Sequence, residues 1–310
     1  MISGLHHVSI GVSDMDRSLC FYKDVLGFGR VLFDLTFNDV SMNQVVGRSV
    51  KIRMAMLENE IGRGAVKLVK LLPLYEGHRG HRPRPIPHDR RWGDAGHLEM
   101  AVEASDIAQT YDDFQKRGLP ILLETQHWHI PGVLDGVYFY LKDPDGTFVE
   151  VIDQSRKGPS ADFRGVNGIN HMAMGVTDMD RALDFYTRIL GFDILIDVRG
   201  VFPGEEVIVG QKIDERIVML GHPHGGARIE LVEILPPNQS KSNPPEKRWG
   251  DIGVMEAALE VEDIENVYRS LGRQGVQFRC PISCIPETFI RYVVIADPDD
   301  NEIGLYEFMN

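Results

Sequence analysis

The chain has 310 residues, 43% of them hydrophobic and 25% charged, with a formal net charge of −13 and a pI near 5.3. That length allows two domains with sizeable cores, and a negative field repels phosphate backbones and anionic membranes, so neither nucleic acid nor membrane is expected as a partner. No run approaches the roughly 18–20 apolar residues of a spanning helix, the first residues lack a signal-peptide pattern, and Cys20, Cys280 and Cys284 form no disulfide framework, so a cytoplasmic protein with reduced thiols is the expectation.

In chain order, Val8, Ile10 and Val12 alternate with Ser9 and Gly11, the period of a strand. Ser13-Asp14 supplies N-cap chemistry for a helix whose Leu19, Tyr22, Val25 and Leu26 face inward, and Gly27 stands where a C-cap glycine belongs. Ile52–Leu57 and Val66–Leu72 read as further strands. A basic, proline-rich run, His78–Trp92 (HRGHRPRPIPHDRRW), then interrupts the acidic background. His97–Val102 reads as a strand, and Asp106–Arg117 as a helix with Ile107, Tyr111 and Phe114 inward. Val137–Leu141, the turn Asp143-Pro144-Asp145-Gly146 and Phe148–Ile152 close the plan, the Pro and Gly positions suiting a type I turn.

The same plan then recurs. Gly4–Phe28 reappears as Gly168–Phe192 with 14 identities in 25 ungapped positions, and Arg91–Ile107 as Arg248–Ile264 with 10 in 17. The chain is a duplicated unit, residues 1–152 and 168–310, joined by a polar linker at 153–167. Each half divides into two βαβββ modules, so the expected fold class is α+β with four modules in tandem.

A His-bearing strand, then "VSDMDRSLCFYKDVLGF", a second His-bearing strand and "DPDGTFVEV" together resemble the vicinal-oxygen-chelate superfamily. This is the group of glyoxalase I, extradiol dioxygenases, methylmalonyl-CoA epimerase and the bleomycin-resistance proteins. The resemblance implies paired modules forming cupped mixed β-sheets with flanking helices around one divalent metal. Carried over by position, it implies His7, His97 and Glu150 as ligands if modules pair in sequence. If they pair in exchanged order, His171 replaces His7 and Glu230 joins as a fourth. Two imidazoles and a carboxylate suit Fe(II), with Mn, Ni or Zn as alternatives. Strand periodicity places His97 with Glu99 and Ala101, away from the apolar face, as it places His7 with Ser9 and Gly11. In the second half, His97 and Glu150 align with Val254 and Gly304, so the mirror-image site lacks its ligands.

For the reaction, the resemblance implies ring cleavage of a catechol-like aromatic. Tyr140, ten residues before Glu150, matches the extradiol pattern, and His129 or His127 would be the acid–base. Both histidines lie further from Tyr140 than that pattern has them, and a tyrosine at this position is common across the superfamily. The alternative is a glyoxalase I- or epimerase-type isomerase or lyase in which Glu150 or Glu230 moves a proton. A second alternative is a metal-free ligand-binding protein like the bleomycin-resistance proteins. His81, His88, Arg84, Arg90 and Arg91 would draw an anionic small molecule if they lined the pocket, although such a run more often rests its arginines on acidic neighbours. Arg91-Trp92-Gly93-Asp94 survives in the ligand-poor half, which points to a structural role. A homo-oligomer is compatible with the sequence.

Overall fold

Alternating apolar residues give four strands in each quarter of the chain. The computed structural model describes all residues except 39–41, 48, 62–63, 76–82, 88–90, 131–133, 155–164, 238, 243–247 and 310. The first quarter holds β1 (Ile2–Gly11), β2 (Arg30–Asn38), β3 (Lys51–Glu58) and β4 (Ala65–Leu72). The second holds β5 (Gly96–Ala104), β6 (Gln126–Ile130), β7 (Leu134–Lys142) and β8 (Phe148–Asp153). In the third are β9 (Val166–Gly175), β10 (Asp193–Gly200), β11 (Glu215–Gly221) and β12 (Arg228–Ile234). The fourth has β13 (Gly253–Val261), β14 (Ser283–Cys284), β15 (Ile290–Ala296) and β16 (Glu302–Phe308). A helix follows the first strand of each quarter, starting at Met15, Ile107, Met179 and Ile264. Asp14, Asp106, Asp178 and Asp263 cap these helices, each carboxylate accepting free backbone N–H groups of the first turn.

The strands form two eight-stranded mixed sheets, and the fold class is α+β as expected. The first sheet runs β2-β3-β4-β1-β13-β16-β15-β14, and the second β10-β11-β12-β9-β5-β8-β7-β6. The first quarter therefore joins the fourth, and the second joins the third. This is the exchanged pairing, with the antiparallel pairs β1/β13 and β5/β9 at the two sheet centres. Each half of the duplicated sequence contributes to both sheets. A continuous apolar cluster, including Ile10, Leu68, Met100, Met172 and Leu259, joins strands of both sheets to the helices.

The repeated "DMD" and "DP-D" segments tie the two sheets together. Tyr22 in the first helix donates to Asp143 Oδ2 at 3.0 Å, and Arg17 pairs with Asp145 at 2.8 Å. In the second half Tyr186 donates to Asp297 at 3.1 Å and Arg181 pairs with Asp299 at 2.7 Å. The helical segments that start at Met15 and Met179 each pack with one sheet and grip a turn of the other. Among the described residues no helix is long and apolar enough to cross a membrane.

Candidate metal centre

Strand register brings four ionisable side chains to one face of the second sheet. β9 places His171 opposite Ala101, and β8 places Glu150 beside the same alanine. β5 sets Glu99 opposite Ala173, and β12 sets Glu230 beside it. Two small alanines thus floor a space ringed by one imidazole and three carboxylates, all at most 4% exposed. Ligand atoms of Glu99, Glu150 and His171 lie within 4.8 Å of one another, and Glu230 Oε2 is 3.8 Å from His171 Nε2. Beside them a narrow cavity is walled by Trp92, Trp128, Tyr138, Tyr140, Ile208 and Ile217.

Burial and like charge dominate the electrostatics of this ring. Glu99 is held at both oxygens, by Trp92 Nε1 at 2.6 Å and Tyr140 Oη at 2.9 Å. Burial, and then the charges of Glu99 and Glu230, push the Glu150 carboxyl well above its usual range. Burial also lowers His171 to about 3, which keeps its imidazole neutral and able to ligate. His171 Nε2 and Glu150 Oε2 stand 3.3 Å apart, yet neither makes a hydrogen bond. Buried polar atoms without partners are costly, and several like charges in one dry space are costlier. A divalent cation answers both, and a set of three carboxylates and one imidazole suits a hard or borderline ion. The residues fit such a metal.

The sequence matches the Glyoxalase/Bleomycin resistance protein/Dioxygenase superfamily over residues 4–151 and 168–305. The chain belongs to that superfamily. As a superfamily member it is 26% identical over 205 residues to a protein named glyoxalase I from Saccharomyces cerevisiae, and 27% identical over 203 residues to a lactoylglutathione lyase from Schizosaccharomyces pombe. These matches cover 62% of this chain but only 57% and 60% of those two proteins, so the chain spans less than two thirds of their length. It is also 28% identical over 109 residues, 33% of the chain and 57% of the relative, to a 2-epi-5-epi-valiolone epimerase from an Actinomyces species. Among solved structures, glyoxalase I from Zea mays superposes with a TM-score of 0.59 at 18% identity, covering 98% of this chain and 92% of the other. A putative dioxygenase from Bacillus subtilis gives 0.61 at 14% identity, covering 100% and 86%. These structural likenesses concern the fold.

Within this superfamily fold, the expected ligands separate. His7 lies on the first sheet, remote in topology from Glu150, because the modules pair in exchanged order. His97 does not reach the ring either. It pairs with Met174 while Glu99 pairs with Ala173, so one extra residue sits between them, a bulge that breaks strict alternation. His97 is thereby turned to the other face, where Nε2 lies 3.0 Å from the Glu302 carbonyl of the first sheet. Glu99, not His97, is the β5 side chain that faces Glu150 and His171. The sequence does carry the signal for it. His7 precedes Asp14 by seven positions, as His171 precedes Asp178, Glu256 precedes Asp263 and Glu99 precedes Asp106, each of these aspartates being a helix cap. Counting back from the cap finds Glu99; counting forward from the histidine does not.

The structure brings His171, Glu150 and Glu230 together, and Tyr140 beside them. His127 and His129 are exposed on β6, His129 facing Asp135 at 3.6 Å, so neither reaches the ring. Of the basic run, His81, His88 and Arg90 lie outside the described residues. The backbone N–H of Arg84 binds Asp251, and Arg91 binds Asp94 and the Gln239 carbonyl. Within Arg91-Trp92-Gly93-Asp94, Trp92 Nε1 holds Glu99, as Trp249 Nε1 holds Glu256 in the first sheet.

The equivalent place in the first sheet holds His7, Lys67, Glu256 and Gly304. Lys67 Nζ pairs with Glu256 at 2.7 Å, both side chains being 0% exposed, and also bonds Tyr306 Oη. Ser9, Trp249 and Tyr306 donate to the same carboxylate. A Cβ at position 304 would lie 2.3 Å from the Tyr306 ring and 2.9 Å from Glu256 Cδ, so no second carboxylate fits there. These residues do not fit a divalent metal. The ammonium of Lys67 already supplies the positive charge.

Proposed function

We propose that the protein is a metal-dependent isomerase or lyase of the glyoxalase I or epimerase kind, moving a proton at a carbon next to a carbonyl. The supporting observation is the buried ring of His171, Glu99, Glu150 and Glu230, in which His171 Nε2 and one Glu150 oxygen lack hydrogen bonds. These four residues would hold one divalent cation. When bound, it supplies Lewis-acid polarisation of a substrate carbonyl. Glu99, fixed by Trp92 and Tyr140, anchors the centre and stays in one position. Glu150 Oε2, the oxygen without a hydrogen bond, would take the proton from the carbon and return it. The aromatic and aliphatic walls bind an apolar part of the substrate and exclude water.

Ring cleavage loses support, since its two imidazoles and single carboxylate do not assemble in the second sheet. The names of the yeast and Actinomyces relatives also favour the isomerase or lyase. The test is to load the purified protein with Mn, Zn, Ni or Fe(II). Exchange of the C–H beside a carbonyl with D2O is then followed by NMR in hemithioacetal and acyl-thioester substrates, alongside oxygen uptake with catechols. Metal-dependent deuterium incorporation lost in Glu150→Gln supports the proposal. Oxygen uptake with ring-opened product and no exchange would refute it.

A further inference from the structure

His171 is the one imidazole of the ring, and only its Nε2 faces the carboxylates, at 3.3 Å from Glu150 and 3.8 Å from Glu230. Its other nitrogen, Nδ1, lies 2.8 Å from Asn170 Oδ1. Either nitrogen of a neutral imidazole can carry the proton, and a protonated Nε2 cannot ligate a cation. Which tautomer is present is decided by what lies beyond Nδ1.

The chain of bonds behind His171 settles the direction of each group. Arg228 has only donors, and its Nη1 lies 2.6 Å from Gln154, so the atom of Gln154 that meets it is the carbonyl oxygen Oε1. That oxygen also lies 3.4 Å from one end of the Asn170 amide, and the Glu103 carboxylate, which accepts the backbone N–H of Gln154, contacts the same end. An amide end facing two acceptors is its NH2 group. The opposite end, turned to His171, is therefore an acceptor, and Nδ1 must be the donor.

We propose that Asn170 is a positioning residue: it holds His171 as the Nδ1–H tautomer and aims the lone pair of Nε2 into the carboxylate ring. Glu103, Gln154 and Arg228 keep the Asn170 amide from turning over. The device belongs to the second sheet. In the first sheet the residue equivalent to Asn170 is His6, whose Nδ1 lies 3.1 Å from His7 Nδ1. There an imidazole nitrogen, not an amide oxygen, faces the strand histidine, and Lys67 makes a ligand unnecessary.

The tautomer can be read on the metal-free protein and stands apart from the proposed function; only its consequence for metal affinity rests on that function. Long-range 1H–15N spectra of 15N-histidine-labelled protein at pH 8, with His171 assigned by comparison with His171→Gln, should show a protonated Nδ1 and a bare Nε2. This is the tautomer that free histidine disfavours in water. In Asn170→Ala the signature should be lost, and Mn(II) affinity by calorimetry should fall about ten- to a hundredfold while circular dichroism shows a folded protein. A protonated Nε2 in the parent protein, or Mn(II) affinity unchanged in a folded Asn170→Ala variant, would overturn the inference. An Nδ1–H tautomer in a protein without metal affinity would support the tautomer assignment and refute the proposed function.

Discussion

Lys67 and Glu230, which hold equivalent places, are the residues on which the two sheets diverge. At the centre of the first sheet an ammonium and a carboxylate face each other in a fully buried space, with Ser9, Trp249 and Tyr306 completing the carboxylate's bonds. Removing one member of such a pair strands the other charge, so Lys67→Met should cost about 3–5 kcal/mol in urea unfolding. Adding Glu256→Gln to it should recover a large part of that loss, and a double-mutant cycle reads the difference. In the second sheet the same strand position is Glu99, and its substitution should act on the metal. Glu99→Gln should lower divalent-metal affinity at least tenfold in a direct titration, whereas His97→Ala, on the other side of the bulge, should leave it within about threefold. Equal loss in both variants would return His97 to the ligand set.

The helix and turn elements explain why the repeated motifs are repeated. "DMD" begins the helices at Met15 and Met179 and "DP-D" the turns at Asp143 and Asp297, and Tyr22 and Tyr186, which follow the two DMD segments, meet Asp143 and Asp297 across the two sheets. They recur in both halves because they hold architecture. Tyr22→Phe leaves the buried Asp143 short of a donor and should cost about 1–3 kcal/mol in chemical denaturation without changing metal stoichiometry. The bulge at Leu98 is equally structural and equally duplicated: Glu256 pairs with Ser9 and Val254 with Ile10, the same slip found at Glu99 and His97. Gly93, in the loop before it, adopts φ +87°, and a Cβ there would stand 2.5 Å from Ile234 Cδ1. A side chain at that point would push against β12, the strand that carries Glu230.

At the scale of the whole molecule, each half of the sequence supplies one side of two sheets. Residues 1–152 alone would leave β1 and β5 without β13 and β9, exposing two central strands as edges. That fragment should sediment as a dimer or larger assembly, and a folded monomer in analytical ultracentrifugation would contradict the exchanged pairing. The complete chain should bind one divalent ion, since the second sheet offers four ligands and the first already contains its cation. Two ions per chain by metal analysis would show that Lys67 does not exclude one.

The residues themselves carried the duplication, the four βαβββ modules and the first helix cap, because periodicity, capping and repeat identity are local properties of the chain, and the family resemblance added Glu150 as a candidate ligand. Both candidate pairings were equally legible in it, and so were the ligand sets each implied. The choice between His7 and His171 fell to sheet topology, which depends on which module edges meet. The exchange of His97 for Glu99 fell to a single-residue bulge, since one extra residue in a strand reverses every side chain beyond it. Strand alternation is written in sequence; the point where it slips is set by the neighbour across the sheet.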